Sequence, residues 1–116
     1  MNEPRVFVPQ VPVKFAGEVE GVAIFKPVFD LSTATVFGSI TPVLGQNDNV
    51  MFLARLTAEI NRKMSDFDCE RDYFLAIGDP SLCAICAGLI LRKRTHFKML
   101  KWDKRMTRYI VLDINV

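Results

Sequence analysis

The hydrophobic pattern of the first 46 residues is typical of β-strands rather than helices. This region is rich in Val and Phe, is interrupted by Pro and Gly, and contains no long run of apolar residues at helical spacing. Because Pro9 and Pro12 each lack a backbone donor, the first strand is predicted to lie at a sheet edge or to form an extended arm. A turn at 30–33 separates the second and third strands of a predicted N-terminal meander. The three predicted strands cover residues 6–15, 21–30 and 33–44.

The pattern changes at residue 49, where apolar residues begin to recur at helical spacing. The apolar positions are Phe52, Leu53, Leu56, Ile60 and Met64. Charged residues lie mostly on the opposite side, so the spacing predicts an amphipathic helix over residues 49–64. Short polar side chains that can accept from the first backbone amides precede it. The candidates for this cap are Asn47, Asp48 and Asn49.

The segment from Tyr73 to Leu91 contains a single charged residue, Asp79, and three basic residues follow it. A membrane-spanning helix is one interpretation of such a segment. However, Gly78, Asp79 and Pro80 interrupt it, and each apolar piece is too short to span a bilayer. We therefore expect no membrane partner. The sequence predicts a strand over 73–77, then a helix that is capped by Asp79, starts with Pro80 and ends near Arg94.

The last 20 residues predict a hairpin, with strands at 97–102 and 109–116 joined around 103–106. The predicted order is therefore β-β-β-α-β-α-β-β, in a single domain over residues 1–116. Its parts are a strand region (1–46), a helix (49–64) and a C-terminal β-α-β-β unit (72–116). We expect an α/β fold, with α+β as the alternative, in which two helices pack on a mixed sheet. A right-handed β-α-β crossover is predicted between Tyr73 and Trp102.

The composition favours a folded domain in a reducing compartment. Half of the residues are hydrophobic, which is enough to build a core without a disulfide or a metal. The three cysteines form no disulfide framework, and the first ten residues do not resemble a secretory signal. We therefore expect a cytoplasmic protein.

Positive charge is concentrated near the C-terminus. Residues 92–116 carry a net charge of +6, whereas residues 1–91 carry −4. Such a one-sided distribution favours binding to phosphate backbones or to an acidic protein. Aromatic residues lie among these charges, and their rings can stack on bases. The predicted binding residues are Arg92, Lys93, Arg94, Lys98, Lys101, Trp102, Lys104, Arg105, Arg108 and Tyr109.

The same segment permits other interpretations. Lysines on a terminal hairpin can also protect an exposed edge and maintain solubility. A second hypothesis is a protein-interaction module that docks on an acidic protein or assembles with itself, using an edge strand near residues 5–15. A mean hydropathy above zero in so short a chain favours a homodimer.

The cysteines and the single histidine permit two further sites. Cys83 and Cys86 form a C-x-x-C pair after a strand, as in redox proteins, but they lie within an aliphatic helix where cysteine usually packs in the core. With Cys69 and His96 they complete a donor set that zinc accepts. Core packing is the favoured interpretation, so no metal and no cofactor are expected.

No catalytic set can be assembled from the sequence. His96 is the only histidine, so nucleophilic catalysis through an imidazole would depend on it. Gly78-Asp79-Pro80-Ser81 is similar to a phosphate-binding turn, but its carboxylate would repel phosphate. Four alternating carboxylates lie in the polar connection that follows the first predicted helix and could hold a cation weakly, although a solvated loop is the commoner case. They are Asp66, Asp68, Glu70 and Asp72. An enzyme is therefore the less favoured class.

From Asp72 onward, the chain resembles small uncharacterised proteins of tailed bacteriophages, especially aquatic ones. The shared pattern is Asp72-Tyr73, then Gly78-Asp79-Pro80, Leu100-Lys101-Trp102-Asp103 and Arg108-Tyr109, and Phe29-Asp30-Leu31-Ser32 is a second shared element. The resemblance implies a viral origin and a location in the host-cell cytoplasm, and it carries no activity. Taken with the charge, it indicates a non-enzymatic phage accessory protein that binds DNA or RNA, or alternatively docks on an acidic host or viral protein.

Overall fold

The computed structural model describes residues 3–28 and 30–116, which form seven strands and two α-helices. The helices are α1 (Leu53–Met64) and α2 (Pro80–Leu91). The strands are β1 (Arg5–Val8), β2 (Val13–Val19), β3 (Val22–Pro27), β4 (Ser39–Pro42), β5 (Tyr73–Phe74), β6 (His96–Asp103) and β7 (Arg108–Asn115). Two short 3-10 helices occupy Ser32–Val36 and Val50–Phe52. The predicted fold class, a mixed sheet packed by two helices, is confirmed.

Five strands form the main sheet in the order β4-β1-β5-β6-β7. β1 runs parallel to both β4 and β5, and β5 runs parallel to β6. β7 pairs antiparallel with β6 over eight residues, which confirms the predicted C-terminal hairpin. Because α2 joins the parallel strands β5 and β6, the predicted β-α-β unit is confirmed as well.

The predicted N-terminal meander is wrong. β1 and β4 are parallel neighbours, and β2 and β3 form a separate two-stranded antiparallel sheet between them in the chain. The single strand predicted over 6–15 is two strands in two different sheets. β1 lies inside the main sheet rather than at its edge. The physical reason is that Pro9 and Pro12 lie between β1 and β2, where no donor is required of them.

The third predicted strand, over 33–44, is only half correct. Its first part is the 3-10 helix Ser32–Val36, and only Ser39–Pro42 is extended. Gly38 separates the two parts and passes so close to the backbone of Pro4 that an added Cβ would clash with the carbonyl oxygen there. A glycine is therefore required where β4 comes alongside β1.

The helix caps follow the sequence closely. The Asp79 carboxylate accepts from the amides of Ser81 (2.9 Å) and Leu82 (3.3 Å), and Pro80 occupies the first helical turn. Asn49 caps the 3-10 turn that leads into α1, since its side chain accepts from the amide of Met51. α2 ends at Leu91, three residues before the predicted end near Arg94.

Each face of the main sheet has its own core. On one face, α1 and α2 contribute Ile60, Met64, Leu82, Cys86 and Ile90, which pack against Phe7, Phe74 and Phe97 of the strands. On the other face, the segment around the first 3-10 helix covers Val6, Val8, Leu100 and Tyr109. The helices therefore leave the second face to a short, irregular segment.

Asp72 is the one fully buried charged residue among the described residues. Its carboxylate accepts from the backbone amides of Asp68 (2.8 Å) and Arg5 (3.0 Å). The guanidinium groups of Arg71 (3.0 and 3.2 Å) and Arg5 (3.4 Å) donate to it as well. Burial by itself would raise the pKa of Asp72, but these hydrogen bonds outweigh it and hold the pKa below its ordinary value.

We expect Asp72→Ala to lower the free energy of unfolding by about 3 kcal/mol, because it removes a buried acceptor that satisfies several charged and backbone donors. Urea denaturation measures this loss. The matched control is Asp66→Ala in the same loop, which is exposed and should change stability by no more than about 0.5 kcal/mol. Equal stability of the two variants would contradict the role assigned to Asp72.

The contribution of Asp72 should also depend on pH in a defined direction. The pKa of Asp72 is lower in the folded protein than in the unfolded chain, where it is about 3.9. Asp72 therefore stabilises the fold fully above about pH 3.9, and this contribution is lost as the pH falls through the folded-state pKa. The wild type should therefore lose stability more steeply than Asp72→Ala below about pH 4. Parallel curves for the two proteins in that range would contradict the shift.

Candidate nucleic-acid interface

The β6–β7 hairpin projects beyond the rest of the main sheet. β5 pairs with β6 only at Lys98 and Met99, whereas β6 continues to pair with β7 as far as Asp103 and Arg108. The outer half of the hairpin is therefore a two-stranded projection. We call residues 101–108 the basic finger, since it carries Lys101, Lys104, Arg105 and Arg108.

The turn of the basic finger is organised by its single acid. Asp103 accepts from the backbone amides of Arg105 (3.0 Å) and Met106 (3.4 Å). Thr107 closes the turn with a φ of +49°, in the left-handed region. The Asp103 carboxylate thus fixes the turn with its neighbours' amides, and all four cations project into solvent around it.

The four cations of the basic finger are exposed. Within residues 3–28 and 30–116, none of its four cations forms an ion pair. A cluster of exposed, unpaired cations on a narrow projection is accessible to phosphate groups from several directions. The sequence predicts a concentration of positive charge near the C-terminus, and in the basic finger this charge is exposed.

Trp102 is the aromatic residue of the basic finger that offers a surface to a ligand. It is 41% exposed, and its ring meets the Tyr109 ring edge to face at a centroid distance of 5.0 Å. Tyr109 is 7% exposed and belongs to the core of the second sheet face. Burial, followed by the charge of Asp30, raises the pKa of Tyr109. Of the two rings predicted to stack on bases, that of Trp102 is exposed to a ligand. The Tyr109 ring is buried and packs against Trp102.

A cleft of about 870 Å³ opens beside Trp102 and Lys101. It lies where the parallel strands β1, β5 and β6 end, which is the usual position of ligand sites in open sheets of this kind. Its walls are mainly apolar and include Leu75, Ile77 and Met99. Two of its polar side chains are already engaged, since Gln10 donates to the carbonyls of Gly45 and Asp48 and Asp79 caps α2. The mainly apolar walls suit the flat face of an aromatic ring.

The other predicted binding residues lie away from the basic finger. Arg92, Lys93 and Arg94 follow α2 at the opposite end of β6, about 23 Å along the strand at its ordinary rise. Lys98 lies on the sheet, with its ammonium group 4.4 Å from the centroid of the Tyr73 ring. The predicted basic segment is thus two groups of cations with Lys98 between them, rather than one continuous patch.

Lys93 has a structural role that the sequence did not reveal. Its ammonium group donates to the carbonyls of Met64 (2.8 Å), Ser65 (2.7 Å) and Phe67 (2.9 Å), at and just beyond the end of α1. These contacts satisfy carbonyls that a helix end leaves without partners. Helix-end carbonyls recruit lysines in general, but nothing in the sequence indicates that two distant helices end beside each other.

The cysteines behave as core residues. Cys69 and Cys86 are buried, and Cys83 is half-buried. Burial raises the pKa of Cys86 to about 12, so its reactive thiolate form is scarce at neutral pH. His96 instead meets Glu70, with its Nε2 2.6 Å from a carboxylate oxygen. Across the described chain, no three His, Cys, Asp or Glu side chains come together in a way that could hold a metal ion.

The four alternating carboxylates have separate environments. Asp72 is buried, Glu70 pairs with His96, and Asp68 accepts from the amide of Glu70 (2.9 Å). They therefore do not converge on one point.

No helix in residues 3–28 and 30–116 has both the length and the apolar character needed to cross a bilayer.

A protein-family model matches this chain over nearly its whole length. Residues 4–116 match the sequence model of the family described as "Phage Pam3 gp32-like protein". The chain belongs to this family. The predicted resemblance to phage proteins is thus confirmed at the level of the family. No curated protein and no solved structure matches the chain.

One shared element of that resemblance falls partly outside the described residues. Phe29 is not described, whereas Asp30 accepts from the amide of Ser32 (2.9 Å) and thereby starts the first 3-10 helix. Asp30 also lines the cleft beside Trp102. The described part of the element therefore contributes to the same region of the fold as the basic finger.

We expect Lys93→Met to lower the free energy of unfolding by about 2 kcal/mol, because methionine keeps the aliphatic stem but leaves three carbonyls without their charged donor. Arg92→Ala, one residue earlier and exposed, should change it by less than about 0.5 kcal/mol. Thermal and urea denaturation of both variants provide the measurement. A fully stable Lys93→Met variant would mean that Lys93 does not hold the end of α1.

Proposed function

We propose that this phage-family protein binds nucleic acid, DNA or RNA, through the basic finger. The observation that carries the proposal is the exposed ring of Trp102, which lies among cations that have no acidic partner in the described chain. Cations hold the phosphates, and an exposed ring provides a stacking surface for a base. The family match supports a phage protein and says nothing of nucleic acid.

The cleft beside Trp102 favours single strands over duplexes. A base can stack on Trp102 or enter the apolar cleft only if it is not already stacked within a helix. The proposed site therefore consists of Lys101, Lys104, Arg105 and Arg108 for phosphates, with Trp102 for a base. Arg92, Arg94 and Lys98 lie outside this site, and Lys93 acts in the fold. We propose that the protein acts in the host-cell cytoplasm and that it binds nucleic acid without catalysing a reaction.

The phosphate contacts are tested by the dependence of binding on salt. Each phosphate contact to a single strand contributes about 0.7 to the slope of log affinity against log salt. We expect Lys104→Ala/Arg105→Ala to flatten this slope by about 1.4 and to weaken binding to all sequences alike. Fluorescence anisotropy with labelled single- and double-stranded DNA and RNA, over a series of salt concentrations, measures both effects.

The matched control for this experiment is Arg92→Ala/Arg94→Ala, which removes the same charge from exposed positions at the other end of β6. It should leave the slope closer to that of the wild type than the finger variant does. If both double variants change binding equally, the interaction depends on net charge rather than on the basic finger. If the wild type shows no salt-sensitive binding to any of the four nucleic acids, the proposal fails and docking on an acidic protein replaces it.

The stacking contact is tested at Trp102. Trp102→Ala should weaken binding to single strands by roughly 1–3 kcal/mol, and Trp102→Phe should recover most of this loss because a ring remains. Urea denaturation of both variants separates lost binding from lost folding, since Trp102 also contacts Tyr109. Binding by Trp102→Ala that equals the wild type would exclude the ring from the interface.

A further inference from the structure

The cleft beside Trp102 contains a carboxylate to which the phosphate and stacking contacts give no role. Asp30 lines this cleft together with Lys101, Trp102 and Tyr109. Trp102 and Tyr109 are direct partners in the β6–β7 pair, so their side chains lie on the same face of the sheet. An acidic side chain repels phosphate, so Asp30 does not suit the backbone of a nucleic acid. A base is the part of a nucleic acid that such a side chain can contact.

Local contacts fix the position of Asp30 at the cleft. Its carboxylate accepts from the backbone amide of Ser32 (2.9 Å), and the next residue, Leu31, packs against the core that contains Tyr109. Burial raises the pKa of Tyr109, and the charge of Asp30 raises it further, so the carboxylate lies within electrostatic range of this phenol. Asp30 is therefore held on the same side of the sheet as Trp102.

Asp30 presents acceptors and no donors at neutral pH. Hydrogen bonds from the side chain and the amide of Ser32 hold the pKa of Asp30 below its ordinary value. A carboxylate offers about four acceptor positions, so the contact with Ser32 leaves capacity for a ligand. Asp30 is also exposed, whereas the carboxylate of Asp79 in the same cleft caps α2.

The Watson–Crick edge of guanine is the base edge that fits a carboxylate. It carries two adjacent donors, the N1 hydrogen and the N2 amino group, which can bond both oxygens of one carboxylate. Adenine and cytosine each place a ring nitrogen acceptor beside a single amino donor, and thymine and uracil place a carbonyl on each side of theirs. An acceptor held against a carboxylate is repelled and loses its bond to water, so these bases are disfavoured.

We propose that the cleft selects guanine in a single strand, with Asp30 accepting from N1 and N2 while the base stacks on Trp102. This inference rests on the proposed nucleic-acid binding and names the base that the site takes. Lys101, at the same cleft, binds a phosphate next to that base. In a duplex the Watson–Crick edge of guanine is already paired, so only unpaired guanine fits.

The selection is tested with short oligothymidylates that carry one central guanine, adenine, cytosine or inosine, and with the matching oligouridylates. Fluorescence anisotropy of the wild type should show the guanine strand binding at least about tenfold more tightly than the adenine and cytosine strands. Inosine keeps the N1 donor and lacks the amino group, so its strand should bind with intermediate affinity. Adenine controls for stacking, because it is also a purine. Selection in either series supports the inference, and comparison of the two identifies DNA or RNA as the source of the guanine.

Asp30→Asn tests the carboxylate itself. The amide oxygen can still accept from the Ser32 amide, but the amide nitrogen adds donors that oppose those of guanine. The ratio of guanine to adenine affinity should therefore fall to within about twofold of unity. Because the ratio is taken within each protein, a uniform gain in affinity from the lost negative charge cancels. Asp113→Asn removes the same charge from an exposed position on β7 outside the cleft and should keep the wild-type ratio.

The outcomes separate this inference from the proposed function. If the wild type binds all strands equally and in a salt-dependent manner, the selection of guanine is excluded and nucleic-acid binding stands. If it binds none of them, both fail. A guanine preference that persists in Asp30→Asn, or one that is lost equally in Asp113→Asn, would overturn the role of Asp30. Urea denaturation verifies that both variants fold, and the inosine series with the wild type does not depend on any variant.

Discussion

The arrangement of the main sheet depends on the hydrogen bonds that the buried carboxylate of Asp72 accepts. An ionised group in an apolar interior is tolerated only when donors surround it, and Asp72 obtains them from Arg5, Asp68 and Arg71. The donors come from the start of β1 and from the loop that enters β5. Next to the carboxylate, Val6 pairs with Tyr73 and fixes the register of these two strands. The position of β5 then determines how much of β6 is left to project as the basic finger.

The fold could be predicted where local signals are strong. Asp79 and Pro80 start α2 as expected, and the C-terminal hairpin pairs Trp102 with Tyr109. The apolar residues of α1, which recur at helical spacing, pack against the sheet. The N-terminal order could not be predicted, because an apolar run such as residues 6–8 reads the same at the centre of a sheet as at its edge. Parallel pairing of β1 with β4 and β5 depends on contacts between segments more than 30 residues apart in the chain.

The candidate site was predicted as a set of charges, and only the fold could divide that set. Lys93 and Lys104 are equivalent in a sequence, yet one is engaged with three carbonyls at the end of α1 and the other is exposed. Trp102 and Tyr109 are likewise alike as aromatic neighbours, and the alternation of the strand pair does not indicate which ring a core will cover. The cleft is lined by residues from several segments and leaves no signal in any one of them.

The brevity of β5 has a consequence for motion within the molecule. In the part of the chain that the structure describes, β6 pairs with its parallel neighbour β5 at two residues, whereas it pairs with β7 at eight. The β6–β7 hairpin is thus a cooperative unit attached to the sheet along a narrow seam. On the β5 side of residues 101–103, no described residue pairs with the backbone of β6, and amide hydrogens there should exchange with solvent well before those that face β7. Leu100 and Tyr109 hold the base of the hairpin in the core, so only the basic finger beyond them can bend against the domain.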